Sequence, residues 1–226
     1  MMDIKPKAFL FDLNGTMIND MAFHNQAWHS ILTQDLGAHI SFEAVKKEMY
    51  GKNQDLLERV FGAGHFSQEQ MDQISIEKEY RYQSAYKKHL ALINGLGEFL
   101  EQAKQSGILM AIGSAAIPFN INFVLDNLNI RSYFKAIVSA EDVMYSKPAP
   151  ETFIKGAEIL GISPAECVVF EDAPKGVEAA MNAGMPCVVL TTMHTADEFS
   201  DYPNIIAFIE DYNDPGLKTL LNQNSK

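Results

Sequence analysis

The stretch Ala8-Phe9-Leu10-Phe11-Asp12-Leu13-Asn14-Gly15-Thr16 decides the fold of this chain. Residues 8–12 form a short apolar run that ends in a carboxylate, and such a run is typical of a strand that is buried on both faces. The strand would deliver Asp12 to its carboxyl end, where burying an acid is costly unless it is paired or binds a metal. Taken alone, the polar residues that follow also fit an Asx-turn that leaves a strand.

Two patterns follow this stretch along the chain. Residues 20–90 contain no comparable strand run, and their apolar residues are spaced as in helices, which predicts four helices. From about residue 92, short apolar runs alternate with helical segments, which predicts a parallel sheet with helices on both faces. We predict strands over 8–12, 108–113, 136–139, 167–170, 186–190 and 205–208, and helices over 96–105, 118–127, 150–160, 174–183 and 215–221. The predicted fold class is α/β: a doubly wound, Rossmann-like core of residues 1–19 and 91–226, with an all-helical domain inserted at 20–90.

The composition excludes several classes of protein. The 226 residues are 47% apolar and 21% charged, as in globular proteins, and the net charge of −11 disfavours nucleic acids and anionic membranes as partners. Two cysteines outside any CxxC motif exclude a disulfide-dense scaffold, and the longest apolar runs are too short to cross a membrane. Residues 1–7 lack the apolar segment of a signal peptide. We therefore expect a soluble, cytoplasmic, monomeric protein.

Polar residues collect at the ends of the first two core strands, where doubly wound sheets bind ligands. Asp12 could act as a nucleophile toward phosphorus. Ser114 and Ala115 follow the next strand and precede a helix, and a hydroxyl with backbone N–H groups there suits a phosphate oxygen. Ser114 could equally be an ordinary helix N-cap.

Two further clusters carry charge. Lys147 lies beside two prolines and could neutralise a transferring phosphoryl group, or be a surface lysine in a turn. Glu171 and Asp172 are adjacent and would repel each other unless a cation intervenes, and carboxylates of this kind suit Mg²⁺. They could also be the charged N-terminus of a helix that begins at Pro174.

This ordered set of motifs resembles the haloacid dehalogenase-like superfamily, and most of all its branch of β-phosphoglucomutase and small sugar phosphatases, which carry a helical cap after the first motif. The resemblance covers essentially the whole chain. It implies a Mg²⁺-dependent phosphoryl-transfer enzyme for a small phosphorylated metabolite, in which Asp12 becomes an aspartyl phosphate. Ser114 and Lys147 would then hold the transferring group. The implied metal ligands are oxygen atoms of Asp12, Asn14 (backbone carbonyl) and Asp172, with Glu171 nearby.

The resemblance extends to the inserted domain. His24-Asn25-Gln26-Ala27-Trp28 is similar to a His-x-x-Ala-Trp segment at the start of the family's cap. Gly51, Lys52 and Asn53 lie where the branch keeps its specificity loop, and Lys78 lies where the mutases have a cap lysine. These residues would contact substrate. The alternatives are a helix-surface histidine and solvated lysines, and Trp28 fits a packing role better.

Asn14 departs from the family pattern. The family has a second Asp at this position, which protonates the leaving oxygen and deprotonates the attacking water. An amide has no titratable proton in the working range and cannot do this. The Asn could be natural, with a leaving group that needs little protonation or that another group protonates. It could be an engineered substitution that traps a bound state. The chain could also be a weak or non-catalytic relative of the family.

Three functions therefore compete. The first is a hydrolase of phosphate esters or anhydrides. It is favoured over a phosphomutase because the side chains of Ala116, Ile117 and Pro118 cannot donate hydrogen bonds to a second phosphate. In addition, Gln54 stands where the mutases have an arginine. The second is a phosphonate hydrolase that uses Lys52 as a Schiff base; a dehalogenase fits less well because of the acid pair Glu171-Asp172. The third is a phosphate-binding protein with vestigial catalysis.

Overall fold

A computed structural model gives the structure of the chain and describes residues 5–221. Within these residues the chain forms two compact units. The core unit contains the residues up to Asn19 and those from Ala91 onward, and the inserted unit spans Asp20–Leu90. The outermost parts of the predicted core, residues 1–4 and 222–226, lie outside the described residues.

The core unit is built on a six-stranded sheet in which every neighbouring pair of strands is parallel. The strands are β1 (Ala8–Phe11), β2 (Leu109–Gly113), β3 (Ala136–Val138), β4 (Cys167–Glu171), β5 (Cys187–Leu190) and β6 (Ile205–Ile209). Their spatial order is β3-β2-β1-β4-β5-β6, so the first strand of the chain lies at the centre of the sheet. The predicted doubly wound α/β fold is confirmed.

Helices follow the strands in alternation, and local sequence signals set several of their ends. The helices of the inserted unit are α1 (Met21–Ser30), α2 (Phe42–Glu48), α3 (Asn53–Phe61) and α4 (Gln68–Tyr86). Those of the core are α5 (Leu96–Gln105), α6 (Pro118–Asn127), α7 (Glu151–Leu160), α8 (Pro174–Asn182) and α9 (Lys218–Leu221). Proline begins α6 and α8, and Gly161 ends α7 with a φ of 69° that favours glycine.

Strand β1 is fixed in place from both faces of the sheet. On one face, Phe9 stacks on Phe99 of α5 with ring centroids 5.4 Å apart, and Phe11 stacks on Phe170 of β4 at 4.8 Å. Burying each such ring stabilises the fold by about 1.5–3 kcal/mol. On the other face, Leu10 packs against α7, where a side chain at Gly156 would approach it to 3.0 Å. This packing holds the residue that follows β1, Asp12, in a fixed position.

The inserted unit has a hydrophobic core of its own. Ser67 caps α4, because its Oγ accepts from the Gln70 N–H while the Gln70 side chain accepts from the Ser67 N–H. Helix α1 continues into a π-helical turn, Ile31–Asp35, that the periodicity does not reveal. The buried members of this core are Trp28, Ile31, Leu32, Val45, Leu56, Leu57 and Met71. Trp28 therefore has the packing role expected for it.

Most predicted boundaries in the core lie within one residue of the observed ones, and two of the differences affect the interpretation. Strand β4 includes Glu171, so this acid is the last residue of the strand and not the first residue after it. The predicted final helix is a 3₁₀ turn, Pro215–Leu217, followed by the short α9. In the part of the chain that the structure describes, none of the helices combines the length and the apolar character needed to span a membrane.

Candidate active site

Three polar segments meet at the carboxyl edge of the sheet. Asp12 follows the central strand β1, Ser114 follows β2 on one side, and Glu171 ends β4 on the other. The backbone N–H of Asp12 donates to the carbonyl of Phe170 at 2.9 Å, which continues the ladder past the end of β1. Parallel strands place their carboxyl ends at one edge, so this arrangement follows from the topology.

Lys147 joins the two acids at the centre of this edge. Its Nζ donates to Oδ1 of Asp12 at 2.6 Å and to Oε1 of Glu171 at 2.8 Å, and the Phe153 ring lies 4.7 Å below the ammonium. Only 7% of the side chain is exposed, which excludes a surface lysine. Burial alone would lower the pKa of the ammonium, but the charges of Asp12 and Glu171 outweigh burial and raise it, so Lys147 stays charged.

Glu171 is held by both of its carboxylate oxygens. Oε1 accepts from Lys147, and Oε2 accepts from the backbone N–H groups of Asp172 and Ala173 at 2.8 Å each. The space for this carboxylate exists because residue 176 of α8 is glycine, since a Cβ there would overlap it. Both oxygens of Glu171 therefore accept hydrogen bonds from inside the protein.

Asp172 carries the charge that the site leaves uncompensated. Its Oδ1 accepts from the Thr16 hydroxyl at 3.2 Å, and its Oδ2 lies against Gly15, where a Cβ would overlap it. Burial and then the charges of Glu171 and Asp12 raise the pKa of Asp172 well above its usual range. One ammonium thus faces three buried acids, and a bound cation would relieve the imbalance.

The donor set fits Mg²⁺ better than a metal held only by side chains. Among residues 5–221, no group of three or more His, Cys, Asp or Glu side chains is arranged to hold a metal. Mg²⁺ prefers one or two carboxylates and completes its shell with other oxygens and water. Two carboxylates, Asp12 and Asp172, and a backbone carbonyl in the adjoining turn meet that preference.

The turn after β1 is held by long-range contacts that sequence reasoning missed. The Thr192 hydroxyl donates to the carbonyl of Gly15 at 2.6 Å, and the buried Tyr212 hydroxyl donates to the carbonyl of Thr16 at 3.1 Å. Asn14 pairs with Ile18 in an isolated parallel bridge and is half-buried. No local signal marks Thr192 or Tyr212, because both lie more than 170 residues away from their partners.

Ser114 is buried at the end of β2 and does not cap the following helix, whose N-cap is Ile117. Its backbone N–H donates to the carbonyl of Val138 at 2.9 Å, and its Oγ accepts from the N–H of Ala116 at 3.1 Å. Ala115 beside it is half-buried. The hydroxyl is therefore oriented by the loop that follows β2.

In the inserted unit, the structure buries two of the predicted substrate residues. His24 and Lys78 are 6% and 3% exposed, which excludes a helix-surface histidine and a solvated lysine. Asn53 begins α3 and donates to Glu79 at 3.0 Å. Gly51 and Lys52 are half-buried just before α3, and the Lys52 N–H donates to Asp55 at 2.8 Å.

The chain is similar to known proteins over most of its length. A family model described as haloacid dehalogenase-like hydrolase matches residues 9–190. Over 187 residues the chain is 31% identical to the β-phosphoglucomutase of Bacillus subtilis, covering 79% of this chain and 80% of the relative. It is 29% identical to a fructose-1-phosphate phosphatase of Escherichia coli, covering 79% of this chain and 93% of the relative. A crystal structure of β-phosphoglucomutase from Clostridium difficile superimposes with a TM-score of 0.81 at 25% identity, over 96% of this chain and 98% of the other.

Proposed function

Because the chain belongs to the haloacid dehalogenase-like hydrolase family, and is thus an enzyme of phosphatase or phosphomutase type, we propose that it hydrolyses a small phosphorylated sugar through Asp12. The observation that carries the proposal is the contact of the Asp12 carboxylate with the Lys147 ammonium at 2.6 Å, at the end of the central strand. A carboxylate fixed in this way is a suitable nucleophile, and the ammonium offsets its repulsion from an anionic substrate.

In the first step, an Asp12 oxygen attacks phosphorus, and the bond from phosphorus to the sugar oxygen breaks. The sugar oxygen leaves with the electron pair and takes a proton. Lys147 and Ser114 bind the phosphoryl oxygens during this transfer. In the second step, a water oxygen attacks phosphorus and one of its protons passes to a phosphate oxygen, while the bond to Asp12 breaks; dihydrogen phosphate and the free carboxylate are released.

We propose Mg²⁺ as the cofactor, held by Asp12, Asp172 and the backbone carbonyl of Asn14. When bound, it supplies positive charge that offsets the acids and the phosphoryl group. Glu171 acts beside these ligands by orienting Lys147, since both of its carboxylate oxygens are already hydrogen-bonded. Asn14 cannot move a proton in the working pH range, so the leaving sugar oxygen takes its proton from another donor.

The substrate class follows from the relatives together with the loop after β2. One relative is a fructose-1-phosphate phosphatase and another is a β-phosphoglucomutase. A mutase must hold a second phosphate, and the side chains of Ala116, Ile117 and Pro118 offer it no donors. We therefore place hydrolysis ahead of mutase activity, and mutase activity is the second candidate because of the β-phosphoglucomutase likeness.

The test is phosphate release from fructose 1-phosphate, glucose 1-phosphate and acetyl phosphate, with Mg²⁺ and with EDTA. We expect turnover that needs Mg²⁺, a phosphorylated peptide containing Asp12 after rapid acid quench, and loss of both in Asp12→Asn. Asp126→Asn is the matched control, because Asp126 is exposed and pairs only with Arg131 among the described contacts. Unchanged turnover in Asp12→Asn would overturn the proposal, and conversion between glucose phosphates in place of phosphate release would favour the mutase.

We also propose that the enzyme works as a cytoplasmic monomer. Both cysteines, Cys167 and Cys187, are buried and unpaired, which suits a reducing compartment. Sedimentation equilibrium over a range of protein concentrations tests the monomer.

A further inference from the structure

Glu79 is a buried acid that neither the sequence motifs nor the proposed chemistry accounts for. It lies on α4 of the inserted unit and is 2% exposed. Its Oε1 accepts from Nζ of Lys78 at 2.8 Å and from the Asn53 side chain at 3.0 Å. Burial alone would raise the pKa of the carboxyl, but the Lys78 charge and these hydrogen bonds outweigh burial and hold the pKa below its usual value. Glu79 is therefore an ionised acid inside a helical domain.

The Lys78 ammonium is fixed between Glu79 and His24. Its Nζ lies 2.7 Å from Nδ1 of His24 and 2.8 Å from Oε1 of Glu79. It also lies over the rings of Trp28 and Tyr82, at 5.5 and 5.9 Å from the ring centroids. An ammonium has three N–H donors, and two of them are used in these contacts. In the part of the chain that the structure covers, no residue accepts from the third.

The same contacts select the tautomer of a neutral His24 ring. An ammonium carries no lone pair, so Lys78 must donate to Nδ1, and the proton of a neutral ring then lies on Nε2. Nε2 faces Oδ2 of Asp20 at 3.2 Å, and Tyr82 donates to the same Oδ2 at 2.6 Å. The Tyr82 ring stacks on His24 with centroids 3.7 Å apart. His24 is thereby held in a single orientation and tautomer.

Adjacent residues on a helix do not normally face each other, so helix geometry alone does not explain the 2.8 Å contact between Lys78 and Glu79. A buried charge pair contributes little net stability, because desolvation offsets the attraction between its charges. The second oxygen of Glu79, Oε2, is buried, lies 3.9 Å from Nδ1 of His24 and has no hydrogen-bond partner among the described residues. Because this carboxylate is enclosed, we assign it a role that acts through Lys78.

We propose that Glu79 is a positioning residue, which holds the Lys78 ammonium against His24 so that one N–H remains available to a substrate oxygen. The inference rests on the proposed function together with the expectation, from the family resemblance, that Lys78 contacts substrate. Without Glu79, the lysine chain regains its rotamer freedom and the ammonium no longer has a fixed direction.

The kinetic test compares Glu79→Gln with Glu77→Gln, the same change at an exposed position of α4 that pairs with Arg81. For fructose 1-phosphate we expect Glu79→Gln to lower kcat/KM about tenfold, mainly through KM. For acetyl phosphate, which has no sugar, we expect a change within about twofold. Lys78→Met should give the same pattern, and the double variant should be no worse than Lys78→Met, because both changes remove one interaction.

An NMR measurement tests the geometry without relying on activity. The ¹⁵N shifts of the His24 ring, identified by the loss of its signals in His24→Asn, should show the Nε2–H tautomer in the wild type and in Glu77→Gln, and a mixture in Glu79→Gln. If the wild type hydrolyses neither probe but the shifts behave in this way, the proposed function fails and the positioning role stands. Wild-type kinetics and an unchanged tautomer in Glu79→Gln would overturn the positioning role, as would an equal loss on both probes with a lower Tm.

Discussion

At the scale of single residues, the site is organised by an imbalance of charge. Lys147 neutralises part of the charge on Asp12 and Glu171, and Asp172 remains beside them in a buried position. Such an arrangement is unfavourable by itself, because burial and like charges both oppose ionisation of the acid. The Mg²⁺ that we propose would make it favourable and would let the site attract an anionic substrate despite the net charge of −11 on the chain.

Asn14 gives a prediction at this scale. Replacing it by Asp restores a titratable group, and general acid catalysis is worth about 10²–10⁴-fold. We expect Asn14→Asp to raise kcat for fructose 1-phosphate, whose alkoxide leaving group needs a proton. The kcat for acetyl phosphate should rise much less, because its leaving carboxylate needs no proton.

The control for this prediction is Asn19→Asp, the same change at an exposed position outside the strand. Initial rates with both substrates, measured at saturating Mg²⁺, decide the outcome. A fall in both rates in Asn14→Asp would contradict the prediction and would mean that the amide itself is the working group.

At the scale of elements, the end of β4 and the first turn of α8 form one packing unit. Glu171 ends the strand, Pro174 begins the helix, and Gly176 leaves the space that the Glu171 carboxylate occupies. The position of Lys147 depends on that carboxylate. A change on the helix therefore reaches Asp12, the proposed nucleophile, through the side chains of Glu171 and Lys147.

Gly176→Ala tests this packing unit. The added Cβ overlaps the carboxylate of Glu171, and overpacking of this kind costs about 1–3 kcal/mol. We expect lower stability in urea unfolding, together with a loss of phosphatase turnover, because Glu171 no longer orients Lys147.

Gly97→Ala is the matched control in another helix of the core, α5. A Cβ there meets only Leu92 at an ordinary 3.8 Å. Since alanine is a better helix former than glycine by about 0.5–1 kcal/mol, the control should be stable and fully active. Equal behaviour of the two variants would contradict the packing account.

At the scale of the whole molecule, the packed core around the sheet encloses both thiols. Cys167 and Cys187 lie on the adjacent strands β4 and β5 and are buried. Burial, and to a lesser extent the charge of Glu166, raises the pKa of Cys167 to about 11, and burial raises that of Cys187 well above its usual value. Only the thiolate reacts readily, so both residues are protected by enclosure and by their protonation state.

We therefore expect a colorimetric disulfide reagent to label neither thiol on the time scale of minutes in native buffer at neutral pH. Both thiols should react promptly in guanidinium chloride, which serves as the control. The slow labelling in native buffer should be limited by how often the sheet opens. It should become slower still when Mg²⁺ and phosphate are bound, because ligands stabilise the closed, folded state. Prompt labelling of one native thiol would show that its strand is more open than the structure indicates.

Much of the fold was predictable from local signals. Apolar runs gave the strands, helical spacing gave the helices, and proline and glycine marked ends such as Pro118, Pro174 and Gly161. These signals are local because hydrogen bonding, sterics and burial of one face act within a few residues. The π-helical turn Ile31–Asp35 escaped prediction, because it follows from packing in the inserted unit and has no periodicity of its own.

The sequence by itself determined which chemistry-bearing residues stand at strand ends: Asp12, Ser114 and the Glu171-Asp172 pair. Only the tertiary structure decided how they are used. The tertiary structure of the core brings Lys147 between Asp12 and Glu171, and helix packing inside the inserted unit buries Glu79 against Asn53 of another helix. The physical reason is that charge balance and hydrogen-bond partnership depend on distances between residues far apart in the chain, and those distances exist only once the strands are ordered and the helices packed.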